Sequence, residues 1–577
     1  MEEASCVVPA APAFRHFDVA IVGGGPVGLM LAIELGRRGV RTVLFNDRRA
    51  TSPYAQANAT QARTMEHFRR LGFADRVRAL GLPPDYPTDI AYFTRYTGWE
   101  LARFSLPSAR DARVLIRSLD GSWSAAELPH RCSQMYVEQV LFDEARRLPS
   151  VQLRFGWRVE GFDEEADVVR LRAVATGAPA AAHAPAGEHA PPGREAGILA
   201  RWVVGCDGAR GAVRRHLAID YAGETGVVRD FMGGRMHALH FRSPDLYRVV
   251  GRPPAWMYWA FNRERRGFMP AINGVDEFVF HTQAKPGEEA DRVDDQRVRA
   301  MFFEALGREC TLEILSRSSW TAGHALVAQR MRAGRFFLAG DAAHLFTPTG
   351  GLGYNTGIDD AVNLGWKLAM VVRGLADESL LDSYEAERRP VALRNTAYAR
   401  GFADSIGLYA PPEHLEDAGA AGDAARARAG AYLERHARAE FNIPGITFGA
   451  RYDGSPIVAD DPEPPPVDRA NVYEPTSVPG GRAPHCWLDG RFSLYDRLGF
   501  EFTLLLLDVS TDAGTLQRAF DAAGAPVRAL AIDSPQLREL YRRRYVLVRP
   551  DQVVAWRGDA LPSSPPTLLR RAACARI

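Results

Sequence analysis

The sequence of 577 residues has few cysteines, and none stands at a spacing that suits a metal or a redox pair. It contains neither a C-x-x-C pair nor a Cys/His cluster, which excludes a zinc-finger protein and a disulfide-rich secreted domain and predicts no metal site. We therefore expect six reduced thiols and a cytoplasmic protein. The cysteines are Cys6, Cys132, Cys206, Cys310, Cys486 and Cys574.

Long apolar runs and an excess of one charge are also missing. No apolar stretch reaches the roughly 18 residues that a membrane span needs, and 71 basic side chains nearly balance 70 acidic ones. We therefore expect neither a membrane nor a nucleic acid as a partner. Lys285 and Lys367 are the only lysines, so 69 of the 71 basic residues are arginine. This bias is typical of a G+C-rich genome and is not a phosphate-binding signal.

The first structured pattern is a strand, a glycine-rich turn, a helix and a second strand. The strands are predicted at 17–22 and 40–45, the helix at 29–38, and the turn has the spacing G-x-G-x-x-G. Gly23 allows the tight turn, Gly25 lets the backbone approach a pyrophosphate, and Gly28 lets helix and strand pack closely. A helix N-terminus beside this turn favours phosphate, so the pattern predicts a dinucleotide site.

The end of the second strand should supply a group that binds the ribose hydroxyls. Asn46 and Asp47 both stand there, and either side chain can accept such a hydrogen bond. The sequence does not choose between them.

Two further motifs lie far along the chain, at 205–210 with Arg214 behind it and at 340–364. Asp341 ends an apolar strand, at the sheet edge where open α/β folds bind ligands. Gly350, Gly351 and Gly353 form a turn without obstructing side chains, and a helix is predicted from about Asp359 to Arg373. The second motif reads G-C-D-G-A-R, and the third joins G-D-A-A-H to P-T-G-G-L-G-Y-N-T-G, D-A and N-L.

Together the three motifs resemble the class A flavoprotein monooxygenases, the single-component FAD-dependent aromatic hydroxylases, over residues 17 to about 400. The tail resembles the thioredoxin-like C-terminal domain of the phenol hydroxylase branch, through residues 479–485, 548–551 and 554–557. Residues 451–458 look like the chlorophenol and hydroxybiphenyl hydroxylases of that branch.

The resemblance implies an α/β fold with four structured parts. We expect a Rossmann-like FAD-binding domain at 15–220 and 326–400 and an antiparallel substrate-binding sheet at 221–325. A helical segment with a linker should follow at 401–462, and a thioredoxin-like domain without redox cysteines at 463–577. Residues 1–14 are predicted to be a disordered lead-in and 177–197 a flexible insertion.

The resemblance also implies the cofactor contacts, with some departures from the family pattern. Gln56 stands where Arg is frequent, Asn46 where Glu is frequent, Thr347 replaces the first of two prolines, and Gly211 replaces a serine. The implied FAD-binding residues are Gly23, Gly25, Pro26, Val27, Gly28, Asn46, Asp47, Gln56, Gln134, Asp207, Gly208, Gly340, Asp341, Pro348, Gly351, Leu352, Gly353, Tyr354 and Asn355.

By this resemblance the protein uses NADH or NADPH and O₂ to hydroxylate a phenolic ring, ortho to its hydroxyl, through a C4a-hydroperoxyflavin. Only one dinucleotide fingerprint is present, so the nicotinamide nucleotide should bind transiently. The alternative is a Baeyer–Villiger or epoxidising enzyme that tailors a polyketide or another natural product. We expect a homodimer and a small aromatic substrate.

The candidates for the substrate site are Asn58, His130, Tyr258 and Pro348, and Trp259 is the neighbour of Tyr258 on its strand. Asn58 matches the segment where phenol hydroxylases place a polar residue, and His130 precedes a predicted helix. Tyr258 and Trp259 alternate on one strand, so at most one should face the flavin. By resemblance, Pro348 lies over the flavin. A carboxylate-bearing substrate would need a buried arginine, and 69 arginines do not reveal which.

Overall fold

The computed structural model describes residues 15–54, 57–176, 192–227, 229–288, 293–508 and 510–576. The predicted lead-in at 1–14, most of the predicted insertion at 177–197, and Gln56 lie outside the described residues. Strands and helices are numbered in chain order below.

The first sheet contains the predicted Rossmann-like unit. Five strands run parallel in the order β17-β8-β1-β2-β5, and β7 and β16 join β8 and β17 antiparallel. Val19 to Val22 of β1 are buried, as expected for a parallel strand covered on both faces. The strands are β1 Arg15–Val22, β2 Thr42–Asn46, β5 Val151–Phe155, β6 Trp157–Glu164, β7 Val169–Ala175, β8 Glu195–Gly205, β16 Arg332–Ala333 and β17 Phe336–Leu338.

The second sheet has seven strands in the order β14-β10-β13-β12-β11-β3-β4, and it contains the antiparallel strands predicted within 221–325. It also takes two strands from the stretch 90–104, because β3 pairs in parallel with β11. Short-range patterning could not show this pairing across more than 150 residues. The strands are β3 Ile90–Phe93, β4 Glu100–Phe104, β10 Gly234–Arg242, β11 Met257–Phe261, β12 Arg266–Pro270, β13 Glu277–Gln283 and β14 Glu313–Ala322.

The helices cover the two sheets and connect them to the tail. Two helix boundaries differ from the prediction: α1 runs from Pro26 to Gly36 instead of over 29–38, and α9 begins at Leu352, seven residues before Asp359. The helices are α1 Pro26–Gly36, α2 Ala62–Arg70, α3 Ala74–Arg78, α4 Ala109–Leu115, α5 Gln134–Arg146, α6 Ala212–His216, α7 Leu246–Val250, α8 Asp295–Leu306, α9 Leu352–Val372, α10 Asp382–Gly407, α11 Ala420–Phe441, α12 Pro444–Phe448, α13 Ala513–Ala522, α14 Pro535–Tyr541 and α15 Leu568–Ala572.

The tail forms a four-stranded sheet in the order β22-β21-β23-β24, with β22 parallel to β21 and the other pairs antiparallel. Two strand–helix units followed by a hairpin give the thioredoxin-like arrangement that the family resemblance implies. Its strands are β21 Phe502–Leu506, β22 Val527–Ala531, β23 Tyr545–Val548 and β24 Val554–Gly558. Short pairings elsewhere are β9 Tyr221–Glu224, β15 Ala325–Ala328, β18 His344–Leu345, β19 Trp487–Leu488 and β20 Phe492–Ser493.

Candidate cofactor and substrate site

The glycine-rich turn after β1 leaves room for a ligand at the start of α1. Gly25 is the N-cap of α1, and no side chain among the described residues caps this end. A Cβ added at Gly25 would meet no atom within 4 Å, whereas one at Gly23 would lie 2.1 Å from the Cys206 carbonyl oxygen. Gly23 also has a φ of +113°. The first turn of α1 therefore offers the free N–H groups of Val27 and Gly28 to a pyrophosphate, and Pro26, which has no N–H, fits the first helical position.

A second uncapped helix start lies at α9. Gly350 and Gly351 have φ values of +61° and +64°, and Gly351 is the N-cap. These left-handed conformations suit glycine, and they start the helix at Leu352. The N–H groups of the first turn, from Leu352 to Tyr354, have no partner within the helix. This is where the resemblance implies the electron-rich edge of the flavin.

Asn355 braces this turn. Its Nδ2 donates to the carbonyl oxygens of Ala59 and Gly351 at 2.9 and 2.6 Å, and its Oδ1 accepts from the Gln61 N–H at 2.9 Å. Gln61 Nε2 donates to the Gly350 carbonyl at 2.8 Å. The segment 57–61 and the turn 350–351 are therefore held together. Gln61 has no signal of its own in the sequence, because only the tertiary contact distinguishes it from other polar residues at helix starts.

The Asp341 side chain is exposed, and hydrogen bonds to Asp360 fix the turn that carries it. The surrounding protein nevertheless removes hydration and raises the pKa of the carboxyl group, with His344 opposing the shift. Behind it, Asp360 accepts from the Gly340 N–H at 3.0 Å, from His344 Nε2 at 2.6 Å and from Arg388 Nε at 2.7 Å. Asp341 is thus placed to accept hydrogen bonds from ligand hydroxyls.

The second motif contributes mainly a backbone surface. Asp207 Oδ2 accepts from the Val213 N–H at 3.1 Å, so this carboxylate caps α6. Its Oδ1 is buried and has no partner among the described residues, and loss of hydration raises the pKa of the group. Gly208 has a φ of +79° and open space around its Cα. Asn46 is half-buried and Asp47 exposed at the end of β2, so both remain candidates for the ribose.

Gln134 is held in place by an acid. Its Nε2 donates to Glu138 Oε1 at 2.7 Å, and Glu138 Oε2 accepts from the Ser52 N–H at 3.0 Å. The Gln134 N–H donates to the Ala57 carbonyl at 2.6 Å. Gln134 therefore positions the segment that carries Asn58, whatever it also contacts in a ligand.

Two of the predicted substrate residues have other roles. His130 is buried and its Nε2 donates to the Leu80 carbonyl at 3.0 Å, while desolvation lowers its pKa to about 4. An imidazole whose pKa is this low is a weak base, so His130 is poorly suited to take a proton from a phenol. Tyr258 accepts from the Ala255 N–H at 2.9 Å and stacks on Phe93. It faces α8, through Tyr96 and Phe302, so it lies on the other side of the sheet from the cofactor turns.

Trp259 belongs to the opposite face, which carries a continuous row of aromatic rings. Ring centroids are 5.0 Å apart between Trp259 and Phe268, 4.5 Å between Phe268 and His281, and 6.0 Å between His281 and Trp320. We call these four residues the aromatic wall. His281 Nδ1 accepts from Trp320 Nε1 at 3.3 Å, and desolvation lowers the pKa of His281 to about 3.

The aromatic wall lies on the sheet face that contacts the start of α5. Met135 and Tyr136 at the start of α5 pack with Trp320 around Ala238 and Val279 on this face. At the far end, the Thr347 hydroxyl donates to the His324 carbonyl at 3.1 Å, next to the exposed Pro348. We call the region bounded by this sheet face and by the segments that carry Asn58 and Pro348 the candidate cleft. Among the described residues, no group of acidic, histidine and cysteine side chains could hold a metal ion.

Comparison with known proteins identifies the family. The family described as FAD binding domain matches residues 16–399, and the family described as aromatic-ring hydroxylase, C-terminal, matches 476–575. Aklavinone 12-hydroxylase RdmE of Streptomyces purpurascens is 30% identical, covering 94% of this chain and 96% of that protein. For 2,4-dichlorophenol 6-monooxygenase of Cupriavidus pinatubonensis, strain JMP 134, the identity is 29%, with 95% and 94% covered.

A solved structure has the same architecture over nearly the whole chain. Chromopyrrolic acid-soaked RebC with bound 7-carboxy-K252c matches with a TM-score of 0.84 and 32% identity, covering 97% of this chain and 99% of that one. No helix in the described part of the chain has the length and apolar character of a membrane span. The predicted fold class, cofactor and family are confirmed: the chain belongs to the FAD-dependent aromatic hydroxylases, a family of flavoprotein monooxygenases.

Proposed function

We propose that this monooxygenase uses NADH or NADPH and O₂ to hydroxylate a phenolic aromatic ring, ortho to its hydroxyl. The observation that carries the proposal is the aromatic wall, which lies on the sheet face that contacts the start of α5. Flat, mostly apolar walls with few polar groups suit a planar ring. Relatives named for aklavinone and for a dichlorophenol support a ring substrate, and both substrate classes stay open.

When FAD is bound, it supplies electron transfer and the activation of O₂, and the protein supplies binding and orientation. The N-termini of α1 and α9 and the Asp341 carboxylate would hold it, at its phosphates, its flavin edge and its hydroxyls. The aromatic wall excludes water from the ring. Asn58 can accept a hydrogen bond from the substrate hydroxyl through Oδ1, and the Pro348 carbonyl is a second acceptor.

Proton removal from the substrate is not assigned to a histidine. His130 donates to the Leu80 carbonyl, and His281 is kept neutral with its Nδ1 engaged by Trp320. Asn58 polarises the hydroxyl without taking its proton, because an amide oxygen is not a base at neutral pH.

We also propose the domain division and assembly that the resemblance implies. The two FAD-binding segments, the substrate sheet and the tail would act as units within a homodimer. Light scattering behind size-exclusion chromatography gives the assembly state directly, and a single-chain mass would reject the dimer.

The experiment is oxygen-18 labelling with a panel of phenols and hydroxylated polycyclic aromatics. NADH or NADPH oxidation is followed for each compound, and products are identified under ¹⁸O₂. We expect a hydroxylated ring with one labelled oxygen, and enzyme with FAD removed serves as the control. A lactone or ester from a cyclic ketone, or an epoxide, would instead favour the Baeyer–Villiger or epoxidising alternative.

A further inference from the structure

Arg131 is a buried arginine without an acidic partner. Its relative exposure is 8%, and among the described residues no carboxylate lies within 4.0 Å of its guanidinium and no protein group accepts a hydrogen bond from it. The other deeply buried arginines all contact carboxylates. Those are Arg38 with Glu34, Arg63 with Glu66, Arg78 with Glu127, Arg229 with Asp404, Arg265 with Glu288, Arg388 with Asp360, Arg482 with Glu66, Arg549 with Glu387 and Arg557 with Asp461.

One favourable contact compensates Arg131 in part. Its Cζ lies 4.0 Å from the centroid of the Trp256 ring. A cation over an aromatic face is stabilised, but this stabilisation is smaller than the desolvation penalty of burying the charge. Loss of hydration lowers the pKa of Arg131 to about 10, so the guanidinium is still protonated at neutral pH.

The nitrogens of Arg131 remain accessible. None of these nitrogens is both sealed from solvent and without a hydrogen-bond partner. Nε1 of the neighbouring Trp256 is such an atom. The guanidinium fork, with no protein acceptor, is therefore available to a ligand.

Arg131 lies beside the segment of the candidate cleft that carries Asn58. His130 and Thr60 exchange both backbone hydrogen bonds, at 2.9 and 2.8 Å, so Arg131 stands opposite Ala59 and next to Asn58. The braced turn is close as well, because a Cβ added at Gly351 would lie 3.1 Å from the Ala59 Cβ. Trp256 directly precedes β11, which carries Trp259 of the aromatic wall.

We propose that Arg131 binds an anionic oxygen of the ring substrate, a carboxylate or a phenolate. The inference rests on the proposed aromatic hydroxylation and narrows it to substrates that are ionised at neutral pH. The planar fork matches a carboxylate with two parallel hydrogen bonds, and a phenolate oxygen can use one. Trp256 holds the guanidinium plane in place for this contact.

The test measures ligand binding to the FAD-loaded enzyme without NAD(P)H, from the change in flavin absorbance. The probes are salicylate against its neutral amide, and 1-hydroxy-2-naphthoate against its amide. An ionised nitrophenol against its methyl ether distinguishes a phenolate from a carboxylate. The variants are Arg131→Met, which keeps the apolar stem, and Arg131→Lys, which keeps the charge. Arg110→Met is the matched control, because the Arg110 side chain is 65% exposed.

We expect Arg131→Met to weaken binding of the anionic probes about 10- to 100-fold, as for a lost hydrogen bond to a charged group. Binding of the neutral partners should change less than about threefold, and Arg131→Lys should lie between Met and wild type. Equal binding of anion and neutral partner by wild type would overturn the proposal, and so would equal losses for both classes in Arg131→Met. Loss of FAD from Arg131→Met would also overturn it, since the arginine would then serve the cofactor.

The same proteins separate this inference from the proposed function. If wild type hydroxylates rings but shows no preference for anions, only the role of Arg131 fails. If no ring is hydroxylated while anions bind through Arg131, the proposed reaction fails and the binding site remains.

Discussion

Arg549 in the tail and Arg131 beside the candidate cleft are both buried, but their surroundings are opposite. Arg549 donates to both oxygens of Glu387, at 2.7 and 2.8 Å, and to Asp551. Lys367 adds a further contact to Glu387 at 2.7 Å. Arg131 has only an aromatic ring beneath it. A buried cation whose charge is matched within the protein connects structural elements, whereas an unmatched cation beside an open cleft is available to a ligand.

The buried charges around Arg549, where the tail meets α9 and α10, balance one another. Two carboxylates, Glu387 and Asp551, face two cations, Arg549 and Lys367, across the junction of α9, α10 and the tail. Burial alone would raise the pKa of Glu387, but Arg549 and Lys367 hold it well below its usual range. Desolvation lowers the pKa of Lys367 to about 8. Such a cluster is sensitive to the loss of any single member.

The largest effect is expected from breaking this balance. Glu387→Gln leaves Arg549 and Lys367 without their shared carboxylate and should reduce the free energy of unfolding by about 3–5 kcal/mol. Denaturant unfolding measures it. The control is Glu413→Gln, at an exposed pair with Arg263, which should change stability by less than about 0.5 kcal/mol. A small effect at Glu387 would mean that the cluster is dispensable.

Besides the matched Arg549 and the unmatched Arg131, His130 is a third kind of buried basic group, one that stays neutral. Its pKa is about 4 in the folded protein and near 6.5 when unfolded, so between these values the unfolded state binds more protons. Its contribution is therefore complete above pH 6.5 and is lost as the pH falls to 4, by about 3 kcal/mol. Lowering the pH from 7.5 to 4.5 reduces the free energy of unfolding of the wild type. In His130→Gln this reduction should be smaller by about 3 kcal/mol. An unchanged reduction would contradict this.

On the cleft side, Asp341→Ala should weaken FAD binding. One hydrogen-bonded carboxylate contact contributes about 1.5–3 kcal/mol, or roughly a 10- to 100-fold change in Kd. Titration of the flavin-free protein with FAD measures it. Asp417→Ala, at a surface acid that is 59% exposed, is the matched control. Equal FAD affinity in the Asp341 variant would remove this residue from the site.

A smaller and more specific effect is expected at Asn58. Asn58→Ala should lower hydroxylation and raise uncoupled peroxide release several-fold, because one substrate hydrogen bond is worth about 1 kcal/mol. Product and peroxide are measured per NAD(P)H consumed, and flavin content checks the fold. Unchanged coupling would show that Asn58 does not contact the substrate.

No effect is expected from the tail cysteines. Loss of hydration raises the pKa of Cys486 to about 11, so it is a thiol rather than a reactive thiolate. Replacing Cys486 and Cys574 with serine should leave turnover within about twofold, with stability checked in parallel. A large loss of turnover in a folded protein would mean that the tail has redox chemistry.

The sequence by itself determined the dinucleotide turn, the strand ends that carry Asp207 and Asp341, the sheet of 221–325 and an α/β tail, whereas the thioredoxin-like form of that tail came from the family resemblance. Each rests on short-range rules: glycine at a turn that needs it, apolar period along a strand, motif order along the chain. The start of α9 at Leu352 was missed because two left-handed glycines begin the helix earlier than its apolar pattern does.

Only the tertiary structure decided which of these residues meet. Alternation placed Tyr258 and Trp259 on opposite faces, but the packing of α8 determined that Tyr258 lies away from the cleft. The hydrogen bond of His130 is to the carbonyl of Leu80, which lies 50 residues away in the sequence. Arg131 is one of 69 arginines, and its lack of an acid partner depends on every element around it. Whether a charge is matched is a property of the whole fold, so no local pattern could reveal it.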